Sequence, residues 1–220
     1  MTAAREQILG RIRTALRDVP DRERPDDVEV ARGYRRAAGD GPGAWLERFA
    51  DRVRDYDADL RRVDSGQIGD AVTQACAELG LRRVVVPSAL PAGWRPGGLE
   101  IVEDRGLSPL ELDAVDGAVT GCAVAIAETG TLLLDGQGVC GRRVITLVPD
   151  HHICIVREEQ VVGLVPEAVT ALRSSVTDRA TPVTLVSGPS ASSDIELERV
   201  EGVHGPRHLL VFLATGAATE

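Results

Sequence analysis

From Gly117 to Leu134 the chain reads GAVTGCAVAIAETGTLLL, apolar or small at almost every position. A strand with one wet face alternates in polarity; a run apolar on both parities belongs in the middle of a sheet covered on both sides. Residues 117–127 are therefore expected to form one long central strand, with Ala123, Ala125 and Ala127 on one face and Val124 and Ile126 on the other. Glu128, Thr129 and Gly130 interrupt the run before TLLL resumes it. Thr129–Gly130 suits a type II turn with a positive φ at the glycine, whereas a β-branched residue there is a poor choice for a type I′ hairpin. Glu128 ends the strand where its carboxylate can clear the apolar layer. Two roles are open to it: a partly desolvated general acid/base or nucleophile, or a strand-end carboxylate that accepts from nearby backbone N–H groups.

The neighbouring pattern extends the sheet. A helix is expected over 67–79, strands at 82–87 and in LEIVED, and a helix from Pro109 with Ser108 as N-cap and Glu111 closing a capping box. TLLL (131–134), RVITLVP (143–149) and HICIV (152–156) read as strands joined by turns too short for crossover helices, so part of the sheet is expected to be antiparallel. A helix over 166–174, a strand at 183–187, a helix from about 193 to 200 and a strand at 209–214 complete an α/β layered, mixed sheet over residues 66–220. Ahead of it, residues 1–65 read as an N-terminal helical appendage. It has helices at 5–17 and 43–60, the second with Leu60 in register, joined through a charged, proline-containing linker at 18–33.

Charge narrows the function. The net charge of −9 lies wholly in residues 66–220, because 1–65 are balanced, and an acidic body disfavours nucleic acid. No stretch approaches the roughly 20 apolar residues of a membrane span, and the charged opening segment is no secretory signal, so the expected address is the cytoplasm. All 25 basic residues are arginine, which excludes a Schiff-base or P-loop lysine. The four cysteines form no CxxC pair and read as buried thiols, so neither zinc nor an iron–sulfur cluster is expected on this chain. GQGVCG (136–141) has the GxGxxG spacing, but a strand and not a helix is expected after it, so it does not read as a Rossmann fingerprint.

Three further stretches carry candidate groups. DGQGVCGRR (135–143) is a glycine-rich loop whose Arg142 or Arg143 can clamp a carboxylate or phosphate, unless both are simply solvated. VSGPSASSDIELE (186–198) runs from a strand through a Gly-Pro turn into a hydroxyl-rich helix start. Ser187, Gly188, Ser190, Ser192 and Ser193 there offer an anion nest, although Ser193 with Glu196 also fits an ordinary capping box. His152 opens a strand, and His204 lies in a Gly-Pro turn as a proton carrier or a turn-stabilising group.

TGCAVAIAETGTLLL (120–134), RRVITLVPDHHICIV (142–156) and SGPSASSDIELERVEGVHGPRHLLVFL (187–213), in that order, resemble the LUD-domain family in its lactate-utilisation branch. The resemblance implies a Rossmann-like sheet of the type shared by glucosamine-phosphate deaminases, ribose-phosphate isomerases and CoA transferases. It also implies a role in oxidising L-lactate to pyruvate beside iron–sulfur partner proteins that would carry the clusters. A small carboxylate or other anion would then bind where Glu128, Thr129, Gly130, Thr131, Arg142, Arg143, His152, the 187–193 serines and His204 converge, with Glu128 as the catalytic group. The alternatives are a non-catalytic assembly subunit, or an independent enzyme of the CoA-transferase or sugar-phosphate-isomerase type using Glu128.

Overall fold

The computed structural model describes residues 3–216 apart from 21–23, 25–28, 178–179, 193–199 and 203. Its elements are α1 (Ala3–Ala15), α2 (Pro42–Asp55), β1 (Asp59–Asp64), α3 (Ile68–Glu78), β2 (Arg83–Pro87), β3 (Glu100–Asp104), α4 (Pro109–Asp113), β4 (Gly117–Gly121), β5 (Val124–Ile126), β6 (Thr131–Leu134), β7 (His151–Arg157), β8 (Val161–Val162), α5 (Val165–Ala171), α6 (Arg173–Thr177), β9 (Thr184–Val186), β10 (Ala191–Ser192), β11 (Val200–Glu201) and β12 (His208–Thr215). Two compact units emerge, Met1–Tyr34 and Arg35–Glu220. The first contains α1, which buries no residue and leaves Ile8 and Ile12 exposed.

The second unit holds two large sheets. Six parallel strands lie in the order β1-β12-β7-β4-β2-β3. Four shorter strands form a mixed sheet in the order β8-β5-β6-β9, with β6 antiparallel to both of its neighbours. Strand parity assigns the layers. Val84, Val86, Val119, Ile153, Ile155 and Phe212 pack on Ile68, Val72, Ala75 and Cys76 of α3. On the opposite face Cys154, Val156, Val211 and Leu213 meet Ala125, Ala127, Leu132 and Leu134 of the mixed sheet, with Phe49, Ala50 and Val53 of α2 beside them. The outer side chains Val124, Ile126 and Leu133 are covered by Ala168 and Leu172. The order of layers is helix, parallel sheet, mixed sheet, helix.

The capping box at α4 forms as expected: the Ser108 hydroxyl accepts from Glu111 N–H, and the Glu111 carboxylate accepts from Ser108 N–H. Four expectations change. Residues 117–127 are two strands in different sheets, because Gln160 Nε2 donates to the carbonyl of Cys122 and Ala123 N–H turns to Leu133 O of the mixed sheet. Antiparallel pairing is confined to the smaller sheets as a result. Residues 143–146 form a 3-10 turn where a strand was expected, closed by Ile145 N–H to Arg142 O and by the Thr146 hydroxyl to Arg143 O. The β-branched run there fills an apolar slot, with Ile145 seated among Val85, Leu112 and Ala118.

The helix expected to reach residue 60 ends at Asp55; Asp57 takes a positive φ of 59°, and Leu60 lies in β1, the strand that pairs with β12. The compact unit accordingly starts at Arg35, with α2 and β1 inside the fold instead of in an appendage ending at 65. The helix expected over 193–200 lies outside the described residues except for Val200, which is in β11. Among the described residues no helix is long and apolar enough to cross a membrane.

Candidate functional site

β7 and β12 enter the parallel sheet side by side, with His152 opposite Leu209 in register. Against these amino ends lies an open cleft of about 260 Å³. Arg143, Thr146 and Leu147 line one side; the end of β9 and residues 187–190 form another, and His204–Pro206 a third, with His152 and Leu209 at the base. The two loops hold each other in place: Ser190 N–H donates to Pro206 O at 2.8 Å, and His204 N–H to the Ser190 hydroxyl at 3.0 Å.

Hydroxyl groups reach the cleft from behind. Thr131, 4% exposed, lies 2.8 Å from the Ser187 hydroxyl and 2.7 Å from that of Thr129. His152 is 2% exposed and its Nε2 lies 2.8 Å from the hydroxyl of Thr120, itself fully enclosed in β4. Burial pushes the His152 pKa down to about 4, because a charged imidazole there would lose its hydration. His152 is therefore neutral near pH 7.

The two adjacent arginines part company. Arg142 donates through Nε and a terminal nitrogen to both oxygens of Asp104 and also to Leu107 O, so it is engaged in the fold and does not line the cleft. That guanidinium is the main reason the Asp104 carboxyl titrates below its ordinary range. Arg143, one residue on, lines the cleft and is exposed, and among the described residues no carboxylate pairs with it.

Glu128 does not line the cleft. Its exposed carboxylate pairs with Arg35 at 2.8 Å, and its N–H donates to Gly163 O, which ties the turn to the end of β8. The neighbouring Gly130 has the expected positive φ, 60°, for a packing reason. A Cβ there would meet the backbone of Arg52 and Val53 in α2 at 2.7–2.8 Å. The AETG turn is thus shaped by a helix pressed against it, and its link to the cleft is indirect, through Thr131 and Ser187.

Of the groups named from sequence, Arg143, His152, Ser187, Gly188, Ser190 and His204 share the cleft wall. Thr129 and Thr131 stand behind it, and Glu128, Gly130 and Arg142 serve other contacts. Ser192 lies in β10, paired with Val200, while Ser193 is outside the described residues. The cleft residue Thr146 and the buried Thr120 behind it carry no signal in the sequence pattern. Thr120 is one polar residue in an apolar strand, and only the parallel pairing of β4 with β7 brings it to His152. The four cysteines are free and buried, burial raising the Cys76 thiol to about 11. Among the described residues no cluster of His, Cys, Asp or Glu is arranged to hold a metal.

The sequence profile of the LUD domain matches residues 101–214. A lactate utilization protein C of Deinococcus radiodurans is 48% identical over 169 residues, 76% of this chain and 78% of that protein. The chain belongs to the LUD-domain family. A lactate utilization protein C of Bacillus velezensis is 31% identical, covering 79% of each chain. The crystal structure of a DUF162 family protein from Deinococcus radiodurans is 41% identical and superimposes with a TM-score of 0.70, covering 80% of this chain and 99% of that one. This LUD-domain chain therefore has a solved structural relative for most of its length.

Proposed function

We propose that this LUD-domain chain serves lactate utilisation as a cytoplasmic subunit, and that its cleft takes a small carboxylate. The relatives' names support the process. One observation carries the ligand: Arg143, without a carboxylate partner among the described residues, shares a cleft of about 260 Å³ with Ser187, Ser190 and a neutral His152, and its lining also includes Leu147, Val186 and Leu209. A guanidinium with hydroxyl donors suits a carboxylate, and the apolar lining suits a short aliphatic group. Electron transfer from lactate would fall to iron–sulfur partner proteins, as the resemblance to the lactate-utilisation branch implies. The finer fold assignment, to the layered type of the deaminases, isomerases and CoA transferases, belongs to the same proposal; the parallel sheet flanked by α3 on one face supports it.

The test has two arms. L-lactate and pyruvate are titrated calorimetrically into the purified chain and its Arg143→Ala variant. Lactate-dependent dye reduction by the iron–sulfur partners is then followed with and without this chain. Binding that Arg143→Ala weakens about tenfold, roughly 1.4 kcal/mol, with faster reduction when the chain is present, supports the reading. No heat of binding and an unchanged reduction rate sink it.

A further inference from the structure

Thr120 and His152 form an isolated buried pair. Thr120 is fully enclosed, and among the described residues its hydroxyl meets no polar group other than His152 Nε2 at 2.8 Å. A hydroxyl has a single proton to give. Were Nε2 protonated, it would donate to Thr120, and the threonine's own proton would be left enclosed without an acceptor, a cost of about 1–3 kcal/mol. The threonine therefore donates, and Nε2 accepts. Since the ring is neutral near pH 7, its proton lies on Nδ1.

Nδ1–H has an outlet. Among the described residues the side-chain polar atoms both enclosed and unpaired are Arg83 Nε, His151 Nδ1 and Arg157 Nε; His152 Nδ1 is not one of them, and no bond joins it to a protein group among these residues. Strand parity sets the imidazole of His152 on the sheet face of Cys154 and Leu209, the face the cleft abuts, while its neighbour His151 points to the other face and stacks on His208. His152 is one of the residues lining the cleft, and Nδ1 is its polar atom without a protein partner among the described residues.

We propose that Thr120 locks His152 as an Nδ1–H donor to the cleft, and that the ligand this selects is a 2-oxo carboxylate over the matching 2-hydroxy acid. The ligand class rests on the reading of the cleft as a carboxylate site; the locked tautomer does not. Arg143 and His152 can only donate here, and no Asp or Glu among the described residues lines the cleft. A carbonyl oxygen accepts and brings no proton of its own, so it fits such a wall directly. A hydroxyl at the same carbon brings a proton that neither of these two residues can accept, so it has to find a serine hydroxyl of the wall or water. Thr120 is on this account a positioning residue that touches no ligand.

The test uses the full chain labelled with ¹⁵N-histidine. At neutral pH the long-range ¹H–¹⁵N spectrum is expected to show His152 with Nδ1 protonated and Nε2 bare. In Thr120→Val the signal should shift towards the other tautomer, and Thr120→Ser should restore the parent pattern. Calorimetry on the same proteins should show pyruvate binding about tenfold tighter than L-lactate in the parent and in Thr120→Ser, and the two converging in Thr120→Val. Should Thr120→Val fail to fold, the parent spectrum and the Thr120→Ser pair still decide the matter. A proton found on Nε2 overturns the tautomer lock even if both acids bind. The expected tautomer with neither acid bound overturns the carboxylate reading and the ligand class with it. The expected tautomer with lactate bound as tightly as pyruvate overturns the ligand class alone.

Discussion

The parallel sheet has two edges that its sequence treats alike and its structure does not. At the carboxyl edge β2, β3 and β4 end at Pro87, Asp104 and Gly121, and residues 138–142 lie across them. A Cβ on Gly121 would meet Val139 at 2.8 Å, one on Gly141 would meet Pro87 at the same distance, and Arg142 closes onto Asp104. At the amino edge β7 and β12 begin at His151 and His208, and the loops from the mixed sheet stand away and leave the cleft. Open α/β sheets usually take ligands at the carboxyl ends of their strands. In this chain the ends of β2, β3 and β4 are covered by its own glycine-rich loop, and the cleft described above lies at the opposite end. A glycine-rich segment beside arginines can thus be a plug as readily as an anion cradle.

The largest effect is expected at the plug. Gly141→Ala asks an L-residue to hold a φ of 66° and drives its Cβ to 2.7 Å from Ile145. It should cost about 3 kcal/mol in urea unfolding, and a loss under about 1 kcal/mol would mean that the carboxyl edge is not tightly closed.

Acid should act on the other edge. In the unfolded chain His152 takes a proton as pH falls below its ordinary 6.5, but in the fold only near 4. The unfolded state holds the extra proton in between, so falling pH drains stability across that window, by up to about 3 kcal/mol from this group. Burial also depresses His151, which adds to the loss in the same direction. Unfolding free energies measured across the window check it; a flat profile would show that His152 is not sealed.

The adjacent arginines should separate the edges cleanly. Arg142→Ala leaves the Asp104 side chain, only 3% exposed, without its cation. About 1–2 kcal/mol of stability should go while carboxylate affinity stays. Arg143→Ala should do the reverse, losing affinity with an unchanged unfolding midpoint. Equal effects in both assays would erase the distinction between plug and cleft. The smallest effect belongs to Glu128→Gln. Its ion pair with Arg35 is solvent-exposed, and the loss should stay within about 0.5 kcal/mol with carboxylate binding intact.

The amino-acid order alone determined which segments build the core and several of their local signals. The apolar runs of β2, β6, β7 and β12 and the capping box at Ser108 depend on neighbours within a few residues, and they appear where the pattern set them. What remained open depended on distant partners. Whether 117–127 stayed in one sheet was decided by Gln160 and Leu133, and whether Arg142 was free by Asp104, 38 residues away. Thr120 and His152 meet only because β4 and β7 pair in parallel. Short-range geometry is written into the chain's own steric limits, whereas the partner of a buried polar group is chosen by the packing of whole layers, and only the tertiary structure makes that choice.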